Sequence, residues 1–173
     1  MAQIDHEALV AMLDRLKLSA IRDQLDTLLD EAARSKMTLR EALAFFVSRE
    51  IARRDERRIS MASKLAQFPF VREIDGFEFD AQPSLDPGQI RELANGDTTL
   101  FLGPPGTGKT HLAVALGREA IRQNYSVQFV TAATLVAMLA KAHDDGTLDK
   151  QLTQLARLKL LTIAEVGYMP LEA

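Results

Sequence analysis

The sequence predicts an α/β fold, in which a parallel sheet built from strand–helix–strand units follows a small all-helical N-terminal domain. From residue 98 onward, β-prone runs alternate with helical periodicity, and the first run leads into a glycine-rich GxxxxGK[ST] segment. Earlier in the chain, apolar residues recur at three- and four-residue spacing, and neither glycine nor proline occurs before Pro69. Strands that alternate with helices favour a parallel sheet, because each helix returns the chain to the same edge.

Composition narrows the class of protein. The chain has 173 residues, 47% hydrophobic and 26% charged, which is typical of a globular protein. Its formal charge of -3 excludes an overall basic nucleic-acid binder, so any DNA contact must come from a local patch. The absence of cysteine excludes disulfides, thiolate metal sites and cysteine nucleophiles. No apolar run or N-terminal leader suits a membrane protein or a secreted one, so we expect a cytoplasmic protein.

Charge and breaker residues divide the chain into three parts. Between Gln67 and Asp97 there are 2 basic and 7 acidic residues, together with three prolines and three glycines. This composition indicates an irregular acidic connector. We therefore predict a helical domain over 1–67, the connector over 68–97 and an α/β domain over 98–173.

The N-terminal region is predicted to be helical throughout. Apolar spacing indicates two short helices, around Leu9–Leu16 and Ile21–Leu29. A third helix begins at Thr38, which forms a capping box with Glu41, and it ends before Pro69 because proline disfavours helix in the preceding residue. The predicted apolar stripe of this helix comprises Leu39, Leu43, Phe46, Val47, Ile51, Ile59, Ala62 and Leu65.

In the C-terminal region, the hydrophobic pattern alternates between strand-like and helical spacing. The predicted elements are a strand at Thr98–Leu102, a helix at Leu112–Gln123, a strand at Ser126–Val130, helices at Thr134–Ala142 and Leu148–Leu158, and a third strand at Leu160–Ile163. Each of the first two strands is followed by at least one helix, as strand–helix–strand units require.

The strongest motif is a phosphate-binding loop. Gly103-Pro104-Pro105-Gly106-Thr107-Gly108-Lys109-Thr110 lies between a predicted strand and a predicted helix, which is the context the motif needs. Glycine allows the backbone N–H groups to converge on phosphate oxygens at the start of the helix. Lys109 is predicted to reach the β and γ phosphates of a nucleotide, Thr110 to bind Mg²⁺, and His111 to direct its backbone N–H at phosphate.

The third strand ends at a candidate catalytic residue. Nucleotidases with this loop end such a strand in Asp-Glu, in which the aspartate holds Mg²⁺ and the glutamate polarises the attacking water. Glu165 fits the second position, but Ala164 stands where the metal-binding aspartate belongs. A methyl group cannot hold a metal-bound water, so the sequence leaves open whether the chain hydrolyses a nucleotide.

The third N-terminal helix carries a candidate DNA-binding stripe. Its residues, which recur on one side of the helix, are Arg49, Arg53, Arg57 and Lys64. They could neutralise phosphates of double-stranded DNA without sequence preference. The alternative is a solvated helix face, because acidic residues are interleaved and Glu50 is placed to pair with Arg54.

The connector is rich in phenylalanine. Phe68, Phe70, Phe77 and Phe79 could form a platform for stacking bases, but hydrophobic anchoring of the connector onto the following domain is the favoured interpretation.

Three segments together resemble one family. GPPGTGKTHLAVALGREA, FPFVREIDGFEFDAQPSLDPGQIRELANGD and LLTIAEVGYMPLEA are similar to the IstB family, ATP-binding helper proteins that insertion sequences encode beside their transposase. The helicase loader DnaC is a more distant relative. The resemblance implies an AAA+ ATPase with a helical N-terminal domain, which uses ATP and Mg²⁺, assembles on DNA as an ATP-dependent homo-oligomer and regulates the transposase.

The chain departs from that family in two ways, at Ala164 and in ending soon after the third strand. We therefore expect residues 98–173 to form a partial AAA+ nucleotide-binding domain, whose sheet lacks its C-terminal strands and lid. The chain would be a truncated remnant or a deliberately shortened form that binds ATP weakly and hydrolyses it poorly. The alternatives are a helicase loader of the DnaC kind and a non-enzymatic remnant that still binds DNA or a partner.

Overall fold

The computed structural model describes residues 5–81, 85, 86, 88, 90, 93 and 99–168. It divides the chain into two compact units, Met1–Arg58 and Ile59–Ala173. Most of the predicted connector after residue 81, with Pro83 and Pro87, lies outside the described residues, as does Thr98 at the start of the first predicted strand.

The N-terminal region is helical, as the sequence predicts. Its elements are α1 (His6–Arg15), α2 (Ser19–Asp23), α3 (Leu25–Arg34) and α4 (Leu39–Leu65). The prediction of two short helices before α4 is wrong, because the second is split at Gln24, whose φ of -123° leaves the helical range. Leu13, Ile21, Leu25 and Leu28 form the core of this unit, with Phe45 and Phe46 of α4 packed against them.

A buried carboxylate helps to explain the extra helix. Glu50, only 4% exposed, accepts hydrogen bonds from the N–H groups of Ala20 (2.8 Å) and Ile21 (3.4 Å) at the start of α2. These N–H groups have no partner within their own helix, so the carboxylate caps it. The predicted pair with Arg54 is present, with Nε 3.0 Å from Oε1, but Glu50 is not part of a solvated face.

The start of α4 follows its predicted capping box. The Glu41 carboxylate accepts from the Thr38 N–H at 2.8 Å, and the Thr38 hydroxyl oxygen accepts from the Glu41 N–H at 3.4 Å. The Thr38 N–H and the Thr38 hydroxyl, which lies 2.7 Å from Oε2, both donate to the Glu41 carboxylate and lower its pKa. The helix ends at Leu65, four residues before Pro69.

The predicted apolar stripe of α4 is buried only in part. Phe46 packs against the N-terminal core, and Ile59 and Ala62 pack against the cluster that contains Ala66. The other members of the stripe are exposed, and these are Leu39, Leu43, Val47, Ile51 and Leu65. Phe45 and Glu50, which lie outside the stripe, face the N-terminal core instead, because a carboxylate that binds the N–H groups of α2 can occupy a core position. Sequence periodicity alone could not identify that partner.

The second unit contains the parallel sheet. From residue 109 its described α-helices and strands are α5 (Lys109–Arg122), β1 (Val127–Thr131), α6 (Ala132–Asp144), α7 (Leu148–Ala156) and β2 (Leu160–Ala164). Short 3-10 helices lie at Ile74–Gly76, Phe79–Ala81 and Val166–Tyr168. β1 and β2 pair in parallel, from Val127 opposite Leu160 to Thr131 opposite Ala164. The α/β class, the order of elements from α5 onward and the incomplete sheet are therefore as predicted.

The first predicted strand does not form in the residues described. Residues 99–102 have no strand conformation, and Leu100 and Leu102 are 74% and 82% exposed. A strand needs a neighbour to accept and donate its backbone hydrogen bonds, and the described sheet contains only β1 and β2. Phe101 nevertheless packs against the core cluster that contains Leu112 and Leu116.

Phenylalanines of the connector pack against the second unit. Phe68 joins the cluster of Ala120, Ile121 and Val127, while Phe77 and Phe79 join the cluster that contains Leu112. This is the hydrophobic anchoring that the sequence favoured over a base-stacking platform. Phe70 differs, because it is 40% exposed and carries the Arg72 guanidinium over its ring at 5.5 Å.

Candidate phosphate-binding site

Residues 103–108 form a loop that glycine makes possible. The φ angles of Gly103, Gly106 and Gly108 are 151°, 82° and 83°, a region that other residues rarely adopt. A Cβ on Gly106 would meet nothing within 4 Å, so this stretch of backbone is open to an approaching ligand. Its N–H groups are therefore accessible in the way that close phosphate contact requires.

The loop leads into the N-terminus of a long helix. Gly108 is the N-cap of α5, a helix of 14 residues, and no side chain caps it. The first bond of the helix is Leu112 N–H to Gly108 C=O at 2.9 Å, so the N–H groups of Lys109, Thr110 and His111 have no intrahelical acceptor. Unpaired N–H groups and the helix dipole together favour an anion at this position.

Lys109 places its ammonium group at the loop. Its Nζ donates to the carbonyl oxygens of Gly103 (2.8 Å) and Pro104 (2.7 Å), and lies 3.4 Å from the Thr107 hydroxyl. The Thr107 hydroxyl itself donates to Pro104 C=O at 2.9 Å. The positive charge is thus held within the loop by acceptors that a phosphate oxygen could replace.

These features fit the polyphosphate of a nucleotide. The glycine backbone leaves room, α5 supplies free N–H donors, and Lys109 supplies the charge. Thr110 is exposed in the first turn of α5, where its hydroxyl could bind a phosphate-bound Mg²⁺. Among the described residues, no group of three or more His, Asp or Glu side chains forms a metal site.

A wall next to the loop was not predicted. A cavity of about 600 Å³ is lined by residues 106–108 of the loop, by His111 and by six residues of the connector segment 71–78, which we call the wall. The six are Val71, Arg72, Glu73, Gly76, Phe77 and Glu78. Phe77 is the central contact of this wall, because a Cβ on Gly108 would lie 2.5 Å from its ring atom Cε2. Glycine at position 108 is therefore required by its positive φ and also by the neighbouring ring.

An ion-pair cluster fastens the wall to α5. Oε1 of Glu73 accepts from Nη2 of Arg118 at 2.6 Å, and Oε2 lies 2.7 Å from Nη2 of Arg122. Burial of Glu73 opposes its ionisation, but the hydrogen bonds and positive charges of the two arginines outweigh this effect and lower its pKa. The sequence did contain a signal for this pairing. The connector has an excess of acidic residues, and α5 carries two arginines four positions apart.

The predicted catalytic glutamate lies after β2. Glu165 is exposed and has a φ of 62°, while Ala164 ends the strand opposite Thr131. A positive φ is uncommon for glutamate, and here it changes the direction of the chain after the strand. Among the described contacts, none joins Glu165 to the loop, so its role as a base stays a prediction.

The predicted DNA-binding residues are all exposed, but they are not equivalent. The Arg49 guanidinium lies over the Phe45 ring at 5.0 Å, and Arg57 donates to the Ser19 hydroxyl at 3.2 Å. Packing of this kind reduces the freedom of both side chains, whereas Arg53 and Lys64 are exposed without such a contact among the described residues. DNA contact by this stripe stays a prediction.

In the part of the chain that the structure describes, no helix combines the length and the apolar character that crossing a membrane requires.

Comparison with known proteins identifies relatives of similar sequence. The chain is 36% identical over 172 residues to the ATP-binding protein of insertion sequence IS21 from Pseudomonas aeruginosa, and 37% identical over 164 residues to that of IS5376 from Geobacillus stearothermophilus. These matches cover 96% and 91% of this chain, and 64% and 65% of the two relatives. The chain thus spans slightly less than two thirds of the length of either relative.

A third relative, the ATP-binding protein of IS232 from Bacillus thuringiensis, is 32% identical over 173 residues. The family model for IstB-like ATP binding proteins matches residues 11–173 and so includes the loop, the connector wall and β2. The chain belongs to the IstB-like ATP-binding protein family of insertion sequences.

Proposed function

We propose that this chain binds ATP with Mg²⁺ and serves as the ATP-dependent helper of a transposase in the cytoplasm. The observation that carries the proposal is the loop of residues 103–108, whose open glycine backbone leads into the uncapped N-terminus of α5 with Lys109 alongside. The relatives are described as ATP-binding proteins, which favours ATP over other phosphate ligands.

The loop residues divide the binding of ATP between them. The free N–H groups of Lys109, Thr110 and His111 donate to phosphate oxygens, and the Lys109 ammonium group exchanges its carbonyl acceptors for the β and γ phosphates. The Thr110 hydroxyl offers one oxygen to Mg²⁺, which when bound neutralises phosphate charge. Ala164 offers no second oxygen, so we infer that the chain retains binding and hydrolyses ATP poorly.

Calorimetric titration of the full chain with ATP and Mg²⁺ tests this site. We expect Lys109→Ala to weaken ATP binding at least tenfold, because it removes a charge-assisted contact worth about 1.5–3 kcal/mol. Lys150→Ala is the matched control, since Lys150 is an exposed lysine on α7. Equal affinities of the two variants would contradict the proposal.

The N-terminal helices are the proposed contact with double-stranded DNA or with the transposase. Arg53 and Lys64 on α4 are the available cations, and each phosphate contact contributes to the salt dependence of binding. We expect Arg53→Glu to weaken DNA retention and to lower its salt slope by about one, while Lys141→Glu on α6 leaves both unchanged. An unchanged slope in Arg53→Glu would instead favour the transposase as the partner of this helix.

Assembly on DNA completes the proposal. The family membership supports an ATP-dependent homo-oligomer that regulates its transposase. Sedimentation of the chain with DNA, with and without ATP, and retention of the transposase from the same insertion sequence test this assembly. Sedimentation as a monomer under every condition would contradict it.

A further inference from the structure

We infer that His111 is a positioning residue, whose ring holds the connector wall against the phosphate loop and thereby sets affinity for the nucleoside part of the ligand. The inference rests on the proposed ATP binding and assigns a role to a side chain that the phosphate contacts do not use. The wall is again the connector segment of residues 71–78.

The cavity beside the loop is where a nucleoside has room. Phosphates held by the N–H groups of α5 leave the sugar and base to extend away from the loop. Among the described cavities, the one that the loop lines has a volume of about 600 Å³ and is bounded on the other side by the wall. Ligand pockets of about 300–1,000 Å³ are the usual size for small molecules. Binding of the nucleoside therefore depends on the position of the wall, whereas binding of the phosphates depends on the loop.

His111 contacts the wall at two points. Its Nε2 lies 3.2 Å from the backbone oxygen of Glu73, at hydrogen-bonding distance for an imidazole that carries its proton on this nitrogen. Its ring also packs edge-to-face against Phe77, with centroids 5.3 Å apart and an interplanar angle of 88°. Because these contacts are four residues apart, the ring fixes both the position and the direction of the wall segment between them.

Phe77 transmits the position of the ring to the loop. It touches His111 on one side, and its Cε2 is 2.5 Å from where a Cβ on Gly108 would lie. It also packs against Phe79 with centroids 4.9 Å apart. A shift of the His111 ring would thus change how Phe77 meets the loop next to the cavity, without any change in the loop sequence.

The attachment of the wall does not depend on His111. Glu73 is held independently by Arg118 and Arg122, and Ile74 and Phe77 are buried in the adjacent core. Loss of the imidazole should therefore leave the chain folded and the wall attached, but less well fixed at the cavity. The effect of His111 on ligand affinity can therefore be measured without a loss of folding stability.

Two contacts of different chemistry call for two variants. His111→Gln keeps an N–H donor for Glu73 but loses the aromatic edge, while His111→Phe keeps an aromatic ring but loses the donor. His111→Ala loses both. His143→Ala is the matched control, because His143 is an exposed histidine on α6.

The experiment compares two ligands that share a polyphosphate. The affinities of the full-length variants for ATP and for inorganic tripolyphosphate are measured by calorimetry. For His111→Ala we expect ATP affinity to fall about tenfold and tripolyphosphate affinity to change less than about twofold, which is a difference of about 1 kcal/mol. His111→Gln and His111→Phe should each recover part of the loss for ATP.

The outcomes separate this inference from the proposed function. Equal weakening of both ligands, or no weakening of either, would overturn the role of His111 while leaving ATP binding intact. If the unmodified chain binds neither ligand, the proposed function fails, and the inference fails with it. Should His111→Ala unfold, the Gln and Phe variants give the same comparison.

Discussion

The ring of Phe68 occupies the space that a side chain at Gly117 would need. A Cβ on Gly117 would lie 2.7 Å from Cε1 of Phe68 and 2.8 Å from its Cζ. Gly117 is buried in the middle of α5, where glycine is intrinsically unfavourable. The connector phenylalanine thus selects glycine at a helical position that would otherwise favour alanine.

This contact predicts that the effect of Gly117→Ala on the free energy of unfolding changes sign when the Phe68 ring is removed. Gly117→Ala should lower the free energy of unfolding by about 1–3 kcal/mol, because overpacking outweighs the gain in helix propensity. In a Phe68→Ala background the same substitution should instead raise stability, by up to about 1 kcal/mol. Urea unfolding of the four chains, followed by circular dichroism, measures both effects. Effects of the same sign in the two backgrounds would mean that Phe68 does not select the glycine.

The buried carboxylate of Glu50 predicts a dependence of stability on pH. Burial opposes its ionisation, but hydrogen bonds from Arg54, Ala20 and Ile21 outweigh burial and lower its pKa. A lowered folded-state pKa contributes stability above the ordinary glutamate value of about 4.3, and this stability is lost as pH falls through the folded value.

We therefore expect Glu50→Gln to reduce the free energy of unfolding at pH 7, with a deficit that shrinks below about pH 4. Glu56→Gln is the control, since Glu56 is exposed on the same helix. Chemical unfolding across pH 3–7 provides the measurement. A deficit that is constant over this range would show that ionised Glu50 does not stabilise α2.

Ala164 predicts a weak role for Mg²⁺ in binding. With the Thr110 hydroxyl as the protein oxygen that the loop offers, Mg²⁺ should tighten ATP binding only modestly. Ala164→Asp adds a carboxylate, an oxygen ligand that Mg²⁺ prefers, at the end of β2. We expect the ratio of ATP affinities with and without Mg²⁺ to rise about tenfold in this variant.

ATP titrations in Mg²⁺ and in a chelator measure that ratio, and Ala133→Asp on α6 controls for added negative charge. We expect turnover to stay low in Ala164→Asp, because one added ligand supplies no other part of a hydrolytic site. An unchanged Mg²⁺ dependence would show that position 164 does not face the ion.

The end of α3 predicts a stabilising substitution. Lys36 has a φ of 49°, and the hydrogen bonds around it, from Lys36 N–H to Ala33 and from Met37 N–H to Ala32, form a left-handed helix stop. Lysine pays a steric cost there that glycine avoids, so Lys36→Gly should raise stability by about 1 kcal/mol. Lys150→Gly, inside α7, should lower stability by about 1 kcal/mol. Thermal unfolding of both variants checks this opposition, and destabilisation by Lys36→Gly would contradict it.

Local signals in the sequence gave reliable predictions. The Thr38–Glu41 capping box and the glycine loop depend on residues close together in the chain, and the structure has both. The capping box is decided within one helical turn, and the loop within eight residues. Local geometry therefore determines them whatever the rest of the fold does.

Features that depend on distant partners were not predictable in the same way. Glu50 is buried because of N–H groups about 30 residues away, and the Phe77 ring meets Gly108 across 31 positions. Residues 99–102 have a β-prone composition, but strand formation also needs a neighbouring strand. In each case the composition was compatible with two outcomes, and the partner decided between them.

The hydrogen bond from Phe129 N–H to Ala66 C=O, 2.8 Å long, gives the small sheet a direction of growth. β1 pairs with β2 on one side. On its other side, the Phe129 N–H donates to the chain segment that follows α4. A strand that joined β1 on this side would have to break that bond. Among the described residues β2 pairs with β1 alone, so an added strand would meet no such obstacle beside β2.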